Sequence, residues 1–340
     1  MILLLRLLVL SVSASLFVFF LPITEAQSFP DKITGQVINR SENASSVEGS
    51  KVFLYGKDLE EEFLIQEQLV ARDGSFQFND LHINPLTRYF VSVEFLGVFY
   101  VEEVVNSDGS FPKEMLINVY ETTSNEDVID ALSVSILFSD VIKDSNQISV
   151  MEIVLLNNTS KQTYIPGDRP MDLIRFGLPG DVVNLDVDSN IVGYDFIQVD
   201  KGFALVANIP PGIHEVAYTY FLNYEDAEFS FAHSLRYGAG ILRVLINESD
   251  GKIISEKYNK PQLTDIGGQS YLVIESKEIV KGEDVSLRLY NLPQNSYLEE
   301  FFSKFQGFRY EFFPVSILLL LLLGFLAIGS FNSGRRKIND

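Results

Sequence analysis

The chain has 340 residues, a formal net charge of −20, and neither cysteine nor tryptophan, but 27 phenylalanines and 15 tyrosines. A surface this acidic repels nucleic acid and anionic headgroups, so no nucleic-acid partner is expected. Without cysteine there is no thiol catalysis, no cysteine-based zinc site and no disulfide bracing, which leaves stability to apolar cores.

From the N-terminus, Met1–Ala26 carries one early cation, Arg6, and then the apolar run Leu7–Leu21. It ends in Thr24-Glu25-Ala26, with small residues three and one before a cut at Gln27, the layout of a secretory signal peptide over 1–26. An uncleaved anchor is the alternative. Residues 31–120 read as seven short strands with turn residues between them, the pattern of a β-sandwich. Ile33-Thr34-Gly35-Gln36-Val37 opens the unit, Lys51–Tyr55 alternates, and Leu64–Val70 follows. Asp73-Gly74 supplies hairpin chemistry into Ser75–Phe78. Arg88–Phe95 and Val98–Val105 pair around Leu96-Gly97, and Met115–Tyr120 closes the unit.

Four of these blocks carry a resemblance. Ile-Thr-Gly-Gln-Val at 33–37, Val-Glu-Gly-Ser-Lys-Val-Phe-Leu-Tyr at 47–55, Asp-Gly-Ser-Phe-Gln-Phe at 73–78 and Tyr-Phe-Val-Ser-Val at 89–93 stand in this order. The first segment thereby resembles the carboxypeptidase regulatory-like domain, whose pattern runs G-x-V, G-x-x-V-x-L, D-G-x-F-x-F and Y-x-V-x-V. The resemblance covers about 31–105 and implies a transthyretin-like sandwich used as an accessory module, in some members classed with carbohydrate-binding folds. These are turn and core positions, so they speak to fold and not to task. The arrangement is also similar to bacterial membrane proteins that follow such a domain with a second β region and a C-terminal helix.

Glu121–Asp127 (ETTSNED) is polar and aperiodic, a domain boundary. Residues 127–293 then read as a second, larger β-sandwich of about ten strands. Its segments are Leu132–Phe138, Ser149–Leu156, Asp172–Leu178, Phe203–Ile209, Ile213–Tyr224, Glu228–Leu235, Gly240–Asn247, Ser270–Ser276 and Asp284–Leu289. In 294–311, aromatics recur at helical spacing among charges, the pattern of an interfacial helix or a membrane-proximal stalk. Phe312–Phe331 holds twenty uncharged residues, enough for a helix to cross about 30 Å of hydrocarbon. Arg335, Arg336 and Lys337 follow it, so 332–340 is expected as a cytoplasmic tail and the protein as a single-pass, type I protein of the cell membrane with its bulk outside.

Signatures of chemistry are sparse. Histidine occurs only at 82, 214 and 233; His214-Glu215 lacks the second histidine of a metalloprotease pair, since position 218 is Tyr218. No G-x-S-x-G motif is present, and each histidine is expected at a strand edge or in a loop. Asp186, Asp188 and Asn190 have the D-x-D-x-N spacing of a calcium loop, but Ile191 and Ile197 replace its glycine and final glutamate. An acidic turn between strands is the competing reading. Tyr194, Tyr218, Tyr220, Tyr224 and Tyr237 are the candidates for a sugar-stacking row, against half-buried strand positions. Sequons stand at Asn39, Asn43, Asn157, Asn158 and Asn247. No catalytic residue, cofactor or firm metal site is assigned. The expected function is a non-catalytic binding or scaffold protein with a protein or glycan partner outside the cytoplasm. A carbohydrate-binding or calcium-dependent adhesion protein is the first alternative, and a hydrolase with an unrecognised site the second.

Overall fold

Two-residue alternation of apolar and polar side chains dominates the chain, and the computed structural model is built almost wholly of strands. It describes residues 31–294 apart from 60, 83, 85, 106–109 and 168. The signal segment 1–26, nearly all of 294–311, the span 312–331 and the tail 332–340 lie outside the described residues. Among the described residues no helix is long and apolar enough to cross a membrane. The only helical turns described are three short 3-10 turns, Glu126–Val128, Lys143–Ser145 and Pro170–Asp172. The chain divides into two compact units, one of residues 31–39 and 45–119, the other of 40–44 and 120 onward.

The first unit contains β1 (Ile33–Asn39), β2 (Lys51–Lys57), β3 (Glu62–Leu69), β4 (Ser75–Phe78), β5 (Arg88–Phe95), β6 (Val98–Glu103) and β7 (Met115–Val119). They form a three-stranded sheet β4-β1-β7 and a four-stranded sheet β3-β2-β5-β6, with β1 and β7 parallel. Alternate residues close the core: Val52 and Leu54 from β2, Val91 and Val93 from β5, Phe76 and Phe78 from β4, and Ile117 and Val119 from β7. Gly35 leaves the space that the Phe76 ring fills. Gly74 has φ +85°, and a Cβ there would come within 2.7 Å of the Val37 carbonyl oxygen. Asp73-Gly74 is nevertheless not a hairpin within one sheet, as the sequence suggested. β3 belongs to the four-stranded sheet while β4 pairs with β1, so the turn carries the chain from one sheet to the other. Leu96-Gly97 does make the expected tight hairpin, with φ of 51° and 78°, joining β5 to β6.

The second unit holds fifteen strands among its described residues rather than about ten. They are β8 (Thr122–Thr123), β9 (Ile129–Ile142), β10 (Gln147–Asn158), β11 (Thr163–Tyr164), β12 (Ile174–Gly177), β13 (Val183–Ser189), β14 (Asp195–Val199) and β15 (Gly202–Val206), followed by β16 (Gly212–Asn223), β17 (Glu228–Leu235), β18 (Ala239–Asn247), β19 (Lys252–Ile254), β20 (Gln262–Ile266), β21 (Gln269–Ile279) and β22 (Glu283–Tyr290). A seven-stranded sheet runs β13-β16-β10-β9-β18-β21-β20. Across from it stand two three-stranded sheets, β14-β15-β12 and β17-β22-β19. These abut at Gly177, where a Cβ would meet the Ser234 carbonyl oxygen at 2.9 Å, yet no ladder joins them. Aromatic contacts bind the layers: Phe138 meets Phe231 edge-on at 5.2 Å, and Phe203 meets Tyr218 at 4.9 Å. Each large apolar side chain so buried contributes about 1.5–3 kcal/mol.

The polar stretch 121–127 is integrated into this unit and is not a slack connector. β8 pairs with β11, and Asn125 Oδ1 accepts the Asp127 N–H at 3.1 Å to cap the first 3-10 turn.

Candidate functional site

β10 points Ile148, Val150, Glu152, Val154 and Leu156 into the core of the second unit, and all five are buried. A carboxylate in this row is costly unless both oxygens are satisfied and its charge is opposed. The neighbouring strand β16 brings Tyr218 and Tyr220 to the same face. Tyr220 donates to Glu152 Oε1 at 2.6 Å and Tyr218 donates to Oε2 at 2.9 Å. From the facing layer, β17 places His233 Nε2 3.3 Å from Glu152 Oε2. The alignment is too poor for a hydrogen bond, so this is an electrostatic contact, and Nδ1 is likewise without a hydrogen-bond partner. Burial is the largest influence on the His233 pKa and lowers it, but the Glu152 charge and contact, the Ser234 backbone and the more distant Asp284 together outweigh it, and the net shift is upward. Burial, and then the same charge, push both phenols well above their ordinary value. His233 is therefore not at an edge or in a loop, as the sequence suggested. It occupies the middle of a strand, 7% exposed, inside a sandwich.

A second polar group adjoins the first. Arg236 donates to both oxygens of Glu126, at 2.9 and 2.7 Å, and the Tyr237 hydroxyl donates to Oε1 at 2.8 Å. The Arg175 backbone N–H in turn donates to the Tyr237 oxygen at 3.0 Å. Burial raises the Glu126 pKa, but the Arg236 and Tyr237 hydrogen bonds more than offset it, and the carboxyl is held below its usual range. Between the two groups lies a cavity of about 20 Å³, bordered by His233, Tyr218, Arg175 and Tyr237. That is room for a water molecule and not for a substrate.

The other sequence candidates are dispersed. Asp186 and Asp188 lie on β13, and Asn190 follows it. A strand sets alternate side chains on one face and does not curl them around a common point, as a calcium loop must. Asn190 Oδ1 is taken by the Glu215 N–H at 2.9 Å, and Asp188 Oδ1 by the Ser189 N–H at 2.9 Å and the Tyr194 hydroxyl at 3.1 Å. Among the described residues no three acidic or histidine side chains converge on a metal position. His214 Nε2 lies 2.8 Å from the Pro210 carbonyl oxygen, and His82 is exposed. Tyr218, Tyr220, Tyr224 and Tyr237 are buried, so they form no sugar-stacking row. Asn158 is buried too and donates to the Gln162 and Ile209 carbonyls at 2.8 Å, which removes it as a glycan acceptor.

An open groove of this unit lies on the outer face of the seven-stranded sheet, over β18, β21 and β20. It has a volume of about 610 Å³, with Leu245, Val273 and Ile266 as aliphatic floor and Arg243, Lys260 and Lys277 as cations. Arg243 is paired with Glu275 at 2.9 Å.

No protein-family model and no curated protein matches this chain. Among solved structures, it is similar to a zinc metallopeptidase of the M1 class from Deinococcus radiodurans. A mutant of that enzyme bound to a Tyr-Ser-Ala substrate gives 11% identity and a TM-score of 0.31, over 48% of this chain and 42% of the peptidase. Another structure of an M1 zinc metallopeptidase from Deinococcus radiodurans gives 10% and 0.29 over the same shares. The chain thus spans less than half of that enzyme's length. The full-length major pilin SpaD from Corynebacterium diphtheriae is 11% identical, with a TM-score of 0.21, over 80% of this chain and 85% of the pilin. Likeness at these scores carries no argument about activity or partners.

Proposed function

We propose that the protein is a non-catalytic binding or scaffold protein, held outside the cytoplasm by one C-terminal span in type I orientation and serving as an accessory component of a membrane complex. The observation that carries this reading is the closure of the Glu152–Tyr218–Tyr220–His233 cluster. Hydrolysis requires a base and a nucleophile open to a substrate, whereas here His233 and its partners face a cavity of about 20 Å³. The remaining histidines lie apart from this cluster, His214 against the Pro210 carbonyl and His82 at the surface against the Asp80 carbonyl. The uncharged run Phe312–Phe331 with Arg335, Arg336 and Lys337 after it supports the tether. The four-plus-three arrangement of the first unit supports a carboxypeptidase regulatory-like module, with Gly35 and Gly74 at positions that a side chain would obstruct.

Crosslinking in native membranes, followed by identification of the attached proteins, tests the reading. Discrete stoichiometric partners are expected. A solitary protein that hydrolyses a model ester or peptide, and loses that activity in a folded His214→Ala variant, would overturn it.

A further inference from the structure

The two edges of the seven-stranded sheet are finished differently. β13 is interrupted by a register shift between Val183 and Asp186, has Asn184 at φ 53°, and turns the charges of Asp186 and Asp188 to solvent. Bulges and charges of this kind keep other strands from adding to an edge. β20 has neither a register shift nor a positive-φ residue, and Asp265 is its one charge. Its pairing with β21 is unbroken from Gln262 opposite Val273 to Ile266 opposite Gln269, all five residues are exposed, and Leu263 and Ile266 present apolar surface. Beyond the β21 ladder, residues 262–266 make no backbone hydrogen bond among the described residues.

The charge beside this edge is also out of character. The chain has 46 acidic and 26 basic residues, yet the groove bordering β20 is lined by Arg243, Lys260 and Lys277 against the single carboxylate Glu275. Glu275 is engaged by Arg243, and among the described residues neither Lys260 nor Lys277 has an ion-pair partner. Asp265, the acidic residue of β20 itself, accepts the Gly268 N–H at 3.3 Å.

We propose that the β20 edge accepts an extended, acidic peptide segment of a partner protein as an eighth strand, with acidic side chains of that segment placed over Lys260 and Lys277. Backbone hydrogen bonds to 262–266 would supply affinity, and the alternate side chains on the groove side would supply selection by charge. This deepens the binding reading above by naming the partner's chemistry, and it rests on that reading. A glycan is the less suited occupant, because the groove lining contains no aromatic residue for a sugar ring to stack on.

The test is fluorescence anisotropy of full-length protein in detergent with labelled acetyl-(Val-Glu)4-amide. Saturable binding is expected, at least tenfold weaker in a Lys260→Glu, Lys277→Glu double variant whose melting temperature is unchanged. The same peptide N-methylated at every residue keeps its charge but cannot pair with a strand edge, and its binding should be lost. Equal binding of the methylated peptide, of acetyl-(Val-Lys)4-amide, or by the double variant would overturn the proposal, as would binding of alginate without binding of the acidic peptide. Failure here leaves the crosslinking result untouched, so the two readings fail separately.

Discussion

The two units solve the same packing problem with different cores. The first closes Val52, Leu54, Phe78, Val91, Val93 and Ile117 between its sheets and buries no charged group among its described residues. The second, larger unit uses the same alternation but sets Glu152 and His233 where two apolar residues would fit the pattern. A buried ion pair of this kind is weak support for stability, since desolvation consumes most of the attraction. What it does supply is a penalty for every other register. A shift of β10 by one residue turns Glu152 out and leaves His233 and two phenols without their partner. The difference between the units is therefore one of tolerance: the first should accept apolar exchange, and the second should not accept removal of a single member of its cluster.

The largest expected effect is on the second unit alone. His233→Ala leaves Glu152 as a buried charge without its counter-charge, and should cost about 3–5 kcal/mol. In urea denaturation of the protein this should move one transition and leave the other in place. A Leu54→Ala change makes the complementary cut, opening a cavity in the first unit for about 2–5 kcal/mol and moving only the other transition. Gly74→Val is expected to cost roughly 1–3 kcal/mol there, because it forces a β-branched residue to positive φ against the Val37 carbonyl.

The pH dependence should likewise divide the units. His233 faces Glu152 closely, shares a small cavity with Tyr218 and has Asp284 on β22 at longer range, and its pKa in the folded state is raised above its unfolded value. Its stabilisation is then fully present below about pH 6.5, the unfolded value, and is lost as pH rises through the higher folded value. Melting temperatures followed upward from pH 6 should fall for the second unit, and a His233→Gln variant should remove that slope. The smallest expected effect belongs to a fourfold Glu152→Met, His233→Leu, Tyr218→Phe, Tyr220→Phe change, which discards both charges together with the two hydroxyls that Glu152 satisfies and should alter stability by about 1 kcal/mol or less in either direction.

How far the sequence revealed this follows from the same alternation. β4, β5 and β17 fall on the residues that periodicity marks, because apolar residues dominate their inward positions, with His233 the exception on β17. β13 and β20 were missed for different reasons. VNLDVDS does alternate Val183, Leu185 and Val187 with Asn184, Asp186 and Asp188, while QLTDI is exposed at every position and has no buried apolar row. The acidic spacing of Asp186 and Asp188 then suggests a cation loop where there is an edge strand. The Glu152 cluster had a signal that went unused. Glu152 stands in step with Ile148, Val150, Val154 and Leu156, and His233 in step with Phe231 and Leu235, so the apolar frame put both inside. No rule of spacing relates β10 to β17, and the meeting of their side chains depends on which sheets face each other.

The most direct measurement of the central claim, that the second unit's one histidine-bearing cluster is charged and sealed, is a pH titration of the imidazoles in 15N-histidine-labelled full-length protein, combined with diethylpyrocarbonate modification. The account predicts that His233 titrates above its ordinary value and resists modification in the native protein, while exposed His82 reacts. A His233 that titrates below the ordinary histidine value, or is modified as fast as His82, would contradict it.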